Sequence, residues 1–163
     1  MSQINPVRRA TAWDATAIAR LSAELGYPAP VDIIQNRLKY ILTDPRVLIA
    51  VTTDTEGRVV GWIHSYLVQL VESDLRAEIG GLVVEASYRR LGLGTALVSV
   101  VRHWAAEAGA QCVTVRCHSI RQDAHQFYQH FGFILVKEQL VFRHALPSHT
   151  HAAFSSPRRL SEL

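Results

Sequence analysis

Cysteine is scarce in this chain: Cys112 and Cys117 are its only two in 163 residues. Two are too few for a disulfide scaffold, and their spacing is unlike the paired motifs of zinc sites. An odd separation along one strand would point them to opposite faces, so both read as core thiols. Long apolar runs are absent too. No segment approaches the roughly 20 apolar residues of a membrane-spanning helix, and the opening MSQINPVRRAT lacks the apolar centre of a secretion signal. A cytoplasmic protein with no membrane partner is the expectation. Nor does one sign of charge dominate. Lys and Arg number 17 against 14 Asp and Glu, a formal +3, and the doublets Arg8-Arg9, Arg89-Arg90 and Arg158-Arg159 are scattered without any recognisable nucleic-acid module. No nucleic-acid partner is therefore expected, and the mild excess suits a small anionic ligand. His144, His149 and His151 lack the fixed spacing and nearby carboxylates of a metal site, so no metal is expected.

What remains is globular: 48% hydrophobic and 19% charged residues, enough for one core. Residues 1–146 read as a single domain and 147–163 as a polar tail without periodicity. Thr11 and Asp14 resemble a helix-capping pair, with Ile18, Leu21 and Leu25 on one face until Gly26 and Pro28. Ile34, Leu38, Ile41 and Leu42 repeat that spacing. The β-rich runs 47–51 and 59–68 flank DTEG, where Gly57 can take the positive φ of a hairpin turn. Residues 77–85 read as a third strand in which Gly80-Gly81 suggests a bulge or a close backbone approach. A helix follows along Leu93, Leu97, Val100, Val101, Trp104 and Ala108. After it come a strand at 113–118, a short helix marked by Ala124, Phe127, Tyr128 and Phe131, and strand-like runs at 134–136 and 140–146.

Chemistry concentrates in YRRLGLGTAL, residues 88–97. A helix entrance carries unpaired N–H groups and partial positive charge, and it binds anions when no side chain blocks the approach. Gly92 and Gly94, beside Arg89 and Arg90, make such an oxyanion cradle. Neither common nucleotide motif fits. A Walker loop needs Gly-Lys-Ser/Thr where Gly94-Thr95-Ala96 stands, and a dinucleotide fingerprint needs Gly or Ala at Leu97.

The loop instead resembles the Arg/Gln-x-x-Gly-x-Gly/Ala pyrophosphate loop of the GNAT superfamily of acyl-CoA-dependent N-acetyltransferases, with Arg89, Gly92 and Gly94 at its fixed positions. AHQFYQHFGF, residues 124–133, is similar to the family's later Ala-x-x-Phe-Tyr-x-x-x-Gly-Phe segment. Two positions depart: Arg121 stands where the family often has asparagine, and Ala86 where proline often follows the acidic residue. The resemblance spans about residues 5–146. It implies a mixed α/β (α+β) fold with a mostly antiparallel sheet of six to seven strands, flanked by about four helices and splayed at a bulge in a central strand.

It also implies acetyl-CoA as co-substrate and an amine as acceptor. The cofactor would lie on Arg89, Arg90, Leu91, Gly92, Leu93, Gly94 and Thr95, with its pantetheine arm along Leu82, Val83 and Val84. Tyr128 matches the tyrosine that protonates the departing thiolate. Glu78 occupies the place of the glutamate base of the histone-modifying branch, and a solvated strand residue is its bland alternative. His64 and His118 have suitable intrinsic pKa values but read more readily as packed strand histidines. Tyr27, Trp62 and Tyr66 could wall the acceptor site, or simply belong to the core. The expected activity is transfer of an acetyl group to a primary amine of a small molecule or protein. A non-catalytic acyl-CoA sensor or interaction module on the same fold is the alternative. A homodimer is consistent with family habit.

Overall fold

A computed structural model of the chain describes residues 7–147; the expected tail lies outside the described residues from 148 onward. Thr11 opens the helical region as its spacing suggested. Its N–H donates to Asp14 Oδ2 at 2.8 Å, and Arg8 grips both oxygens of the same carboxylate at 2.8 Å. Strand β1 (Val7–Arg9) leads through a short helical turn into α1 (Ala15–Leu25), which Gly26 ends at φ 99°. Helix α2 (Val31–Ile41) buries Ile34 and Leu38.

Strands β2 (Val47–Thr53), β3 (Val59–Leu70) and β4 (Ser73–Val84) form an antiparallel meander. Gly57, at φ 85°, makes the β2–β3 turn, as expected. Helix α3 (Leu93–Glu107) crosses to β5 (Val113–Val115), which runs parallel to β4, and α4 (Gln122–Phe131) follows. The sheet order is β1-β2-β3-β4-β5. Its two faces hold separate cores. On one, α1 and α2 pack Leu21, Ile34 and Leu38 against Val51; on the other, α3 packs Leu97, Val98 and Val101 against Leu48, Ile63 and Ile79.

Three expectations need correction. The sheet has five strands among the described residues, not six or seven. Residues 134–136 and 140–146 have strand composition but form no strand: they pair with no other segment among the described residues. β1, by contrast, is too short for periodicity to reveal. Finally, Cys112 is exposed and Cys117 only partly buried, since β5 stops short of both.

Candidate active site

Strands β3 and β4 shift register between His64 and Ser65: His64 pairs with Gly81, Ser65 with Ile79, and Gly80 is the extra residue of a bulge. Aromatic rings fill the space these glycines leave. A Cβ at Gly80 would lie 3.0 Å from the Tyr66 ring, and one at Gly81 would lie 2.8 Å from Trp62. Trp62, His64 and Tyr66 thus form a wall over the bulge, and the two alternatives for Gly80-Gly81, bulge and close packing, are both realised.

Beyond the bulge β4 loses its other neighbour. Ala77, Glu78 and Ile79 pair with β5, whereas among the described residues Leu82, Val83 and Val84 have only β3 beside them. Glu85 N–H donates to Val60 O on β3. Antiparallel alternation therefore turns the N–H groups of Val84 and Leu82 away from β3, into the opening. This is the splay that the resemblance implied.

The glycine loop follows directly. Arg89 Nε donates to Val84 O at 3.1 Å, Arg90 takes the left-handed conformation at φ 66°, and Gly92 does so at φ 83° with nothing within 4 Å of a notional Cβ. The first backbone bond of α3 runs from Ala96 N–H to Gly92 O, and no side chain caps the helix. Among the described residues, the amides of residues 90–95 donate to no protein carbonyl. The cradle is open. Gly94 also has a packing role: a Cβ there would lie 3.2 Å from Phe127, so its bareness seats α4 against α3.

Seated in this way, α4 carries Tyr128 into the interior, 7% exposed and edge-on to Phe127 and Phe133 at 5.1 and 5.3 Å. Its hydroxyl has no hydrogen-bond partner among the described residues. Burial, with the nearby Cys117 thiol adding to it, pushes the phenol well above its ordinary pKa, so it stays protonated.

Glu78 is buried and already engaged. It accepts from Tyr66 Oη at 2.9 Å and faces Arg116 Nε at 3.2 Å and Arg76 at 3.8 Å. Burial, then the Glu78 bond, raises the Tyr66 phenol. His64, tilted against Tyr66 with ring centres 5.7 Å apart, is held neutral by burial. His118 is exposed, its carbonyl beside His125 Nε2 at 3.1 Å. Tyr27 stands 72% exposed on the loop after α1, where it contributes no buried wall. Arg121 closes that side, donating to Leu25 O at 2.6 Å.

One cluster escaped sequence reasoning. Glu85, between β4 and the loop, accepts from Arg20 at 2.6 Å and from Arg58 at 2.9 Å, while Asp54 accepts from Tyr88 Oη at 3.0 Å. Arg58 also lies over the Tyr88 ring, 5.6 Å from its centre. The guanidinium of Arg20, foremost, holds the Glu85 carboxyl below its usual range. These residues anchor the loop from three separate elements, and no sequence spacing links them. No group of histidine, cysteine or carboxylate side chains among the described residues could hold a metal ion.

A profile described as Acetyltransferase (GNAT) family matches residues 14–133, and the chain belongs to that family. A transcriptional regulator from Bacillus halodurans C-125 is similar at 26% identity and TM-score 0.77, over 86% of this chain and 99% of that one. The aminoglycoside antibiotic 6'-N-acetyltransferase AAC(6')-Ih from Acinetobacter baumannii shares the fold at 18% identity and TM-score 0.78, over 87% and 99%. AAC(6')-Iy, solved with the bisubstrate analogue CoA-S-monomethyl-acetylneamine, does so at 16% and 0.76, over 86% and 98%. A search of curated proteins finds no match.

Proposed function

We propose that the protein is an acetyl-CoA-dependent N-acetyltransferase that acts on a primary amine of a small molecule or protein. One observation carries the reading: the free amides of residues 90–95 open beside the unpaired edge of β4. Fixed backbone dipoles of this kind bind a diphosphate without any reorganisation. Arg89, Arg90, Leu91, Gly92, Leu93, Gly94 and Thr95 hold that diphosphate, and the pantetheine arm adds to β4 as a strand along Leu82, Val83 and Val84.

The acceptor nitrogen attacks the thioester carbon, the C–S bond breaks, and the Tyr128 hydroxyl gives its proton to the departing thiolate. An amide N–H of the open edge polarises the carbonyl. The amine proton passes to the Tyr66 oxygen as that hydroxyl gives its own proton to Glu78, and water then carries the proton from Glu78 back to the Tyr128 phenolate. Glu78, tied to Tyr66 and Arg116, serves as base by relaying that proton from Tyr66, and Trp62 and Tyr66 line the acceptor path with Tyr27 at its mouth. No helix among the described residues is long and apolar enough to cross a membrane; the site of action in this proposal is cytoplasmic.

A sensor role is the second reading, favoured by the name of the Bacillus halodurans relative. Both readings predict that acetyl-CoA raises the melting temperature by mass action. No rise at millimolar acetyl-CoA rejects both. Release of free thiol with any member of an amine panel separates transferase from sensor.

A further inference from the structure

Tyr66 pairs with Glu78 across the β3–β4 ladder, and Arg76 and Arg116 face the same carboxylate at 3.8 and 3.2 Å. Arg121 stands at the other side of the opening, held to Leu25 O, and the Leu25 side chain lies 3.9 Å from a notional Cβ on Gly81. Three guanidinium groups therefore rim the bulge, against the single carboxylate of Glu78. The aromatic wall adds no negative charge, since burial keeps His64 neutral, and burial with the Glu78 bond keeps Tyr66 protonated. The rim is net positive.

Arg116 has donors to spare. Its side chain is 67% exposed and turns Nε toward Glu78, while its terminal nitrogens donate to no protein acceptor among the described residues. A guanidinium fork of this kind takes a carboxylate by two parallel hydrogen bonds. The distance fits as well. Glu78 Oε1 meets both Tyr66 Oη, at 2.9 Å, and Arg116 Nε, at 3.2 Å. The fork thus stands a few bond lengths from the hydroxyl that receives the amine proton, which is the span between nitrogen and carboxylate in a small amino acid.

We infer that the acceptor is a small amino acid, an amine with a carboxylate on its α or β carbon, and that Arg116 binds that carboxylate while Arg76 and Arg121 add to the local positive potential. This inference rests on the transferase reading above. The same surplus of positive charge repels a polycationic amine, so the rim selects by repulsion as well as by attraction.

The test is release of free thiol from acetyl-CoA with α- and β-amino acids, each beside its carboxamide, and with spermidine and kanamycin as polycations. The acids are expected to exceed their amides roughly tenfold or more in kcat/KM, the worth of one charge-assisted hydrogen bond. Arg116→Gln should bring that ratio close to one, chiefly through KM for the acid, and Arg116→Glu should reverse it. Circular dichroism and the melting shift with acetyl-CoA check that both variants are folded. Added salt should narrow the wild-type ratio by screening so exposed a guanidinium, a measurement that needs no variant. Wild-type preference for amides or polycations, equal rates for acid and amide, or a ratio that survives Arg116→Gln overturns the inference and leaves the transferase reading standing. Stabilisation by acetyl-CoA with no acid acetylated overturns it too. A chain that acetyl-CoA fails to stabilise overturns the transferase reading itself, and this one with it.

Discussion

Gly94 of α3 and Phe127 of α4 meet so closely that a Cβ on the glycine would lie 3.2 Å from the ring. The helix entrance that would hold a diphosphate and the helix that carries Tyr128 are therefore one packed unit. A bulky residue at position 94 must push α4 outward. Gly94→Val is expected to lower stability by about 1–3 kcal/mol through overpacking, and to reduce acetyl transfer more than it reduces acetyl-CoA affinity. Thermal melts with and without ligand check the first part, and steady-state kinetics the second.

Tyr128→Phe keeps the edge-on contacts with Phe127 and Phe133 and removes only the hydroxyl. Turnover should fall by roughly 10²-fold or more, the usual share of a general acid, with acetyl-CoA affinity nearly unchanged. Equal turnover in the variant would remove Tyr128 from the chemistry.

Tyr88→Phe breaks the 3.0 Å bond to Asp54 that steadies the approach to the loop. The expected outcome is a several-fold rise in KM for acetyl-CoA with kcat little changed. Titration of acetyl-CoA against both proteins measures it.

Asp14 is held below its ordinary pKa, first by the hydrogen bonds from Arg8 and then, against the opposing effect of burial, by the Thr11 N–H. The folded chain therefore binds this proton less readily than the unfolded chain. The stabilisation is complete above the ordinary value near 3.8 and fades as pH falls through the lowered native one. Asp14→Asn should cost about 1–3 kcal/mol at neutral pH. The gap between variant and wild type should close with acidification below pH ~4, which denaturant titrations at several pH values would show.

The glycine loop, the bulge and the seat of Tyr128 were legible in the sequence because each is a local requirement: positive φ, an extra strand residue, a tyrosine at fixed spacing from Gly-Phe. Helices α1 to α4 were legible from periodicity. The role of Gly94 was not, since the residue it accommodates lies 33 positions further along. The cluster of Arg20, Asp54, Arg58, Tyr88 and Glu85 was hidden for the same reason: charges on separate elements meet only after folding. Strand propensity at 134–146 was read correctly as composition and wrongly as structure, because a strand exists only beside another.

Arg121 reaches Leu25 across 96 positions of sequence. During synthesis the N-terminal helices emerge first, long before the residue that latches them to the start of α4. The contact between the end of α1 and the start of α4 thus forms only after residue 121 has been made, and a truncated product ending before that arginine would hold most of the core yet lack this latch.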